Sequence, residues 1–393
     1  MTVLIWIRDL VLVADRRRPA ATSLVFGMTL RMSGVVIPVY MAHEGLALST
    51  IGLVVAAAGL AQLLTRPWLS ALLRQFPDRS IILVAIALVA GSGLIVLAGP
   101  YLLVFIVSQL LQGSSRALYW TASQTYVVRG KDHSAIALAE VNFASSVGQL
   151  AGPTLAGFLL GHSVFGAVLT TGVLPLLCLT QAVRLERHDP FPPRPRTAAS
   201  GSWRTGMVRG GCWASLAAGA FEALTGSYVP VLLLAAGMAP GGIGLVLSAS
   251  NIGGLVGGLL AARLPRHHVR LALWVGATAT GVGLAFAASS PGRPIAVALS
   301  LGLAGTTAGL LRTLGPAAAS DSVPDAIRGD ALTATGTYRA LALVATPALV
   351  GGLVAVTALP AAMLLAALVV SGTGAPAWWS TRKGQATRLV EAG

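Results

Sequence analysis

SLVFGMTLRMSGVVIPVY, Ser23 to Tyr40, lies over SLAAGAFEALTGSYVPVL, Ser215 to Leu232, at a constant offset of 192 residues. Ser23 falls on Ser215, Gly27 on Gly219, Gly34 on Gly226 and Pro38 on Pro230. The register continues through IGLV at Ile51–Val54 over IGLV at Ile243–Val246. Further on, AGPTLAGFL (Ala151 to Leu159) lies over ATPALVGGL (Ala345 to Leu353) at an offset of 194. Three matches in one order at nearly one offset make the chain a duplicated unit.

Between the copies runs RLERHDPFPPRPRTAASGSWRTGMVR, Arg184 to Arg209, with six arginines and the helix breakers Pro190, Pro192, Pro193 and Pro195. Such a segment packs into neither a core nor hydrocarbon, so it is expected to be a solvated linker. The chain then divides into an N-terminal segment (1–18), a first half (19–183), the basic linker (184–209), a second half (210–380) and a tail (381–393).

Hydrophobic residues make up 55% of the chain and charged residues only 10%, well short of the quarter usual in soluble proteins. Apolar runs of about 20 residues recur throughout, each enough to cross about 30 Å of hydrocarbon. They fall near 20–42, 49–71, 80–99, 101–126, 135–161, 164–183, 211–236, 241–262, 270–289, 294–317, 328–356 and 359–379. The expected fold is an all-α membrane protein of twelve transmembrane helices in two pseudo-symmetric six-helix bundles. The period-two alternation of a membrane β-barrel is absent.

Charge placement orients the spans. With the N-terminus inside, 21 of the 27 basic residues fall in inner segments, and the outer loops carry only Arg293. That asymmetry is the positive-inside pattern, which predicts a multi-pass protein of the plasma (cytoplasmic) membrane with both termini cytoplasmic. The charge of +14 follows from anchoring at the lipid bilayer, and no nucleic-acid partner is implied. MTVLIWIRDLVLVADRRR at the N-terminus has its charges after the apolar run, the reverse of a signal peptide. An interfacial helix anchored by Trp6 is expected there. Two cysteines, Cys178 and Cys212, give no disulfide framework.

GQLAGPTLAG, Gly148 to Gly157 in the fifth span, carries Gly148, Gly152, Pro153 and Gly157. Small residues four apart let helix backbones approach closely, and the proline removes a backbone donor at that contact. Packing alone is one reading of this run. It also resembles the antiporter motif G-x-x-x-G-P-x-x-G-G of the major facilitator superfamily of secondary transporters, with Ala156 in place of one glycine. Twelve spans in two related halves joined by a basic loop is similarly that family's plan. The resemblance implies alternating access, with proton-coupled export where the motif is present. A monomer with no cofactor and no metal is expected.

Other motifs of the family are eroded. SALLRQFPDRS, Ser70 to Ser80, stands in the loop after the second span, with Arg74 where the family has its acidic gate residue and Asp78 where it has a basic one. Asp78 with Arg79 or Arg74 is a candidate substitute pair. In the fourth span the place of a family arginine holds Gln109, and Arg116 lies two turns down the same face.

Five basic residues remain within the spans: Arg31, Arg66, Arg116, Arg312 and Arg339. Arg66 and Arg312 lie near span ends, where long side chains snorkel. Arg31, Arg116 and Arg339 lie near the midplane, where an arginine costs roughly 2.5–3.5 kcal/mol on insertion scales, so they are expected to face an aqueous cavity. Glu222 is the acid nearest the midplane, and Glu140 lies about a turn inside the fifth span. Leu30 and Glu222 are repeat equivalents, which sets Arg31 and Glu222 one residue apart in register. Glu222 and Glu140 are the candidate proton-coupling groups. Loss of water favours the neutral acid and a nearby arginine the carboxylate, so Arg31 could drive proton release; a permanent ion pair is the alternative. The further cavity candidates are Gln109, Gln112, Tyr119, Trp120, Asn142, Tyr228, Asn251 and Tyr338. Excess arginine hints at a carboxylate or phosphate on the small-molecule substrate.

No buried nucleophile–base set points to an enzyme, and an internal duplication argues against a channel built round an oligomer axis. No P-loop suggests ATP drive. Two functions stay open: proton-coupled export of a drug or metabolite, and proton-coupled uptake of an organic anion.

Overall fold

The computed structural model describes residues 18–128, 134–188, 205–323 and 328–379. The expected interfacial segment around Trp6, most of the linker and the C-terminal tail lie outside the described residues. Along the described residues run the α-helices α1 (Arg18–His43), α2 (Leu48–Gln75), α3 (Asp78–Ile95), α4 (Leu102–Val128), α5 (Ser134–Leu160), α6 (Val164–Val173), α7 (Leu176–Ala182), α8 (Gly206–Thr225), α9 (Tyr228–Ala235), α10 (Pro240–Arg263), α11 (Val269–Ser289), α12 (Pro294–Asp321), α13 (Arg328–Val354) and α14 (Leu359–Gly372). Each of the twelve apolar stretches is helical. In hydrocarbon every backbone N–H and C=O must be satisfied within the segment, and a helix does this alone.

Ten described helices are long and apolar enough to cross a membrane, and α8 with α9 forms an eleventh, bent by 41°. The remaining stretch, α4, has 27 residues and carries Ser108, Gln109, Gln112, Ser114, Ser115 and Arg116 along its middle.

Helical hydrogen bonding is interrupted in two spans where continuous helices were expected. In the sixth, α6 and α7 meet at Leu174-Pro175, where proline has no N–H for the preceding turn, but both residues keep helical angles and the two helices make one of the ten spans. The seventh breaks at Gly226-Ser227, although its repeat equivalent in α1 runs unbroken. There Gly226 N–H donates to Glu222 O at 3.1 Å and Ser227 Oγ donates to Ala223 O at 2.6 Å. A serine that bonds the preceding turn competes with continued helix.

The chain forms two compact units. Unit 1 comprises Met1–Gly45, Leu60–Arg194 and Ala239–Gly244, and unit 2 comprises Leu46–Gly59, Pro195–Met238 and Leu245–Gly393. Within unit 1, α1 packs on α5 and α3 on α4 and α6. Within unit 2 the equivalent pairs recur, α8 with α13 and α11 with α12 and α14. The duplication therefore extends from sequence to packing. It reaches the turns as well: Gly45 (φ 76°) and Gly237 (φ 81°), 192 residues apart, both take the left-handed conformation that glycine alone adopts without strain.

The unit 1 core holds Phe26, Ile81, Ile82, Ile86, Val89, Tyr119, Ala122 and Val127. Unit 2 is filled with smaller residues, among them Ala214, Ala217, Ala277, Leu273 and Leu311. Small residues bring backbones together: a Cβ added at Gly27 would stand 2.6 Å from Ser145 O, and one at Gly219 would stand 2.7 Å from Arg339 O.

Candidate functional site

Glu222 lies in the last turn of α8, directly before the break. Arg339 comes from the middle of α13. Arg339 Nε donates to Glu222 Oε2 at 3.2 Å, and Arg339 Nη2 donates to the same oxygen. The Glu222 side chain is 17% exposed and that of Arg339 35%, so the pair is neither sealed in a core nor at the surface. Gly219, one turn before Glu222, creates the space, since a Cβ there would meet Arg339 Cγ at 3.1 Å. The Glu222 carbonyl is occupied by the helix end, accepting from Gly226 N–H at 3.1 Å and from Thr225 Oγ1 at 3.2 Å. Beside Arg339, the Tyr338 ring meets the edge of Trp213 with centroids 6.1 Å apart.

The sequence placed Arg339 in a cavity without joining it to Glu222. Glu222 and the arginine expected beside it, Arg31, belong to different units, and each has a partner in its own. Arg31 Nε donates to Gln149 Oε1 at 3.3 Å, and Gln149 Nε2 donates to Ser145 Oγ at 3.0 Å. Gln149 lies inside the glycine motif of α5 and had not been singled out. Its neighbours Gly148 and Gly152 lie against α1. A Cβ on Gly152 would stand 2.5 Å from Met28 O, and one on Gly148 would stand 2.9 Å from Met28 N. Pro153 and Gly157 turn to α10 instead, where Gly157 meets Pro240 and Gly244 meets the Pro153 carbonyl. The motif thus holds backbones together on two sides while offering Arg31 an amide partner.

Along α4, Gln109 and Gln112 are buried, and Gln112 Nε2 has no hydrogen-bond partner. Arg116 is half-buried. Tyr119 is wholly buried, with its hydroxyl 2.9 Å from Ser23 Oγ and donating to Thr22 Oγ1 at 3.1 Å. Its ring stacks on Phe26 at 3.7 Å, with Trp120 edge-on to Phe26 at 6.2 Å. Tyr228, also wholly buried, donates to Leu48 O at 2.8 Å. Asn251 and Tyr338 are half-buried, whereas Asn142 and Glu140 are exposed. Asp78, at the start of α3, is fully buried and accepts from Thr125 Oγ1 at 3.2 Å.

A twofold-repeated, all-helical, multi-pass membrane protein with charged residues held inside its bundles has the architecture of a secondary transporter. The chain matches the Major Facilitator Superfamily over residues 20–347, and it belongs to that family of transporters. Among curated proteins it is similar to multidrug resistance protein 2 of Bacillus subtilis (strain 168), 30% identical over 136 residues. That match takes in 33% of this chain and 34% of the relative, so the chain spans about a third of the length of the curated relative it matches. Among solved structures it resembles the nucleoside transporter NupG, with a TM-score of 0.75 at 12% identity over 95% of this chain and 99% of that one. A bacterial homolog of the human lysosomal transporter Spinster, inward-facing and unoccupied, gives 0.74 at 12% identity over 94% and 97%. A POT family transporter bound to a thioalcohol-conjugated peptide gives 0.70 at 11% over 91% and 94%. At these identities the structural likeness speaks to the fold.

Proposed function

We propose that the protein exports a small organic molecule from the cytoplasm in exchange for protons, by alternating access across the cytoplasmic membrane, with both termini inside. The observation that carries this reading is the Glu222–Arg339 pair, which sits on two packed helices at the break of a membrane span. A carboxylate with limited access to water and a cationic neighbour changes charge when that neighbour is withdrawn. Movement of α13 against α8 would couple proton binding to a change of state. Export is favoured over uptake by the Gly148–Gly157 motif. The short match to a multidrug resistance protein agrees with it. The groups we assign to substrate binding are Arg31 on Gln149, Arg116, Gln109, Gln112 and Trp120 in unit 1, and, separately, Asn251 and Tyr338 in unit 2; Glu140 is a secondary candidate for coupling.

The test uses everted vesicles carrying an inside-acid gradient reported by a quenched acridine dye. Candidate drugs and organic anions are added outside, where the cytoplasmic face lies. An exchanger releases the quench as cargo enters and protons leave, and Glu222→Gln removes that release. Uptake by symport, the second reading, rests on the arginine excess. It would leave the dye quenched and appear instead as acid-driven accumulation in right-side-out vesicles. Unchanged proton-driven flux in Glu222→Gln would refute the coupling role.

A further inference from the structure

The turn between α10 and α11 in unit 2 holds Arg263, Arg266, His267, His268 and Arg270 within eight residues. Arg263, Arg266, His267 and His268 are exposed and Arg270 is half-buried. A single 3-10 turn, Arg266–His268, leads into α11 and sets the two histidine rings 3.9 Å apart. No Asp or Glu occurs in the sequence between Glu222 and Asp321, so this turn carries no acid of its own.

Tryptophans flank it. The Arg270 guanidinium carbon lies 5.8 Å from the centroid of the Trp378 ring, and Trp378 lies 5.8 Å from Trp274. Gly374 permits the approach, since a Cβ there would stand 2.9 Å from Trp274 O. Trp274 and Trp379 remain 41% and 63% exposed, and Leu271 and Val275 continue an exposed apolar surface along α11. Tryptophan at the end of an apolar helix belongs at headgroup depth. A guanidinium resting on an indole is held in place, and the exposed Arg266 guanidinium four residues earlier can take phosphate oxygens in pairs. Cations at the turn, the Trp274–Trp378 pair and an apolar flank along α11 match a phospholipid from headgroup to acyl chain. A free anion would use only the first of the three.

We propose that this turn, with Trp274 and Trp378, is a binding site for the headgroup of an anionic phospholipid. The site is independent of cargo, direction and coupling. The experiment titrates brominated phosphatidylglycerol, with brominated phosphatidylcholine as the neutral comparison, into the detergent-purified full chain and follows quenching of tryptophan fluorescence. Phosphatidylglycerol should quench at lower mole fraction. Arg266→Gln with Arg270→Gln should weaken its binding by roughly fivefold per charge at low salt, while Arg293→Gln, beyond the far end of α11 at the start of α12, should leave it unchanged. In the wild type the preference should shrink as salt rises, a readout that needs no variant. Equal quenching by both lipids, a preference indifferent to salt, or full preference in the double variant would each overturn the proposal. Displacement by inorganic phosphate at matched concentration would mark a free-anion site and overturn the lipid assignment.

Discussion

Adding one methyl group at Gly148 tests the packing that places Arg31. The new carbon would stand 2.8 Å from the Leu24 carbonyl carbon and 2.9 Å from Met28 N, where ordinary contact is 3.4–4 Å. Both are main-chain atoms of α1, so no side chain can swing aside, and α1 and α5 must separate by roughly half an ångström or more in an interior packed like a crystal. Overpacking of this kind costs about 1–3 kcal/mol, against about 1 kcal/mol gained from alanine's better helix propensity. Gly148→Ala should therefore lose stability. Gly91, inside α3, has nothing within 4 Å of its would-be Cβ. Gly91→Ala should keep the propensity gain and melt higher. At roughly 2 °C per kcal/mol for a long chain, the two alanine variants should straddle the wild type in thermal melts of detergent-purified protein. Equal melting temperatures, or a Gly148→Ala variant more stable than Gly91→Ala, would refute the close α1–α5 contact.

Glu222→Gln and Arg339→Gln should each lower stability by about 1–3 kcal/mol, the buried-pair value reduced because Arg339 is 35% exposed. The double variant should lose less than the sum, and strict additivity in the melts would deny the pair. Tyr228→Phe removes the hydrogen bond to Leu48 O and should cost about 1 kcal/mol; an unchanged melting temperature would show that bond to be without weight. Gln112→Leu removes a buried amide whose Nε2 has no partner and should stabilise the substrate-free protein by about 1 kcal/mol or more. A lower melting temperature would mean that Gln112 is already satisfied.

The spans and the duplication were legible because both depend on patterns that tolerate local error. An apolar run of about 20 residues has one solution in lipid, and a repeat is seen by comparing the chain with itself. The two helix interruptions were less visible. Pro175 and Gly226-Ser227 stand in runs whose composition is that of any membrane helix, and the equivalent glycine, Gly34, lies in unbroken α1. The partners of the charges were harder still. Depth follows from position in a span, which is how Arg31, Arg339 and Glu222 were found, but the direction of a side chain depends on which helices pack. Gln149 was hidden because a glutamine inside a glycine motif looks incidental until α5 is laid on α1. The signal that could have joined Glu222 to Arg339 was the repeat itself.

Gly27 faces Ser145 O, and Gly219 faces Arg339 O; the offsets are 192 and 194, those of the sequence repeat. Leu30 in the first copy, 7% exposed, corresponds to Glu222, and Ser145, 1% exposed, corresponds to Arg339. The two positions that form an ion pair in the second half therefore hold a leucine and a small serine in the first. A lone charge at such a depth would be expensive, which ties the acid and the base of the second half to each other. Restoring the first-half residues, Glu222→Leu with Arg339→Ser, should leave a protein that folds and melts within about 1–2 kcal/mol of wild type, because apolar groups often replace a buried pair without loss. The same variant should have no proton-driven flux in vesicles. Unfolding would show that the two copies do not pack equivalently at this contact. Retained proton-driven flux would show that the pair serves only to hold α8 to α13.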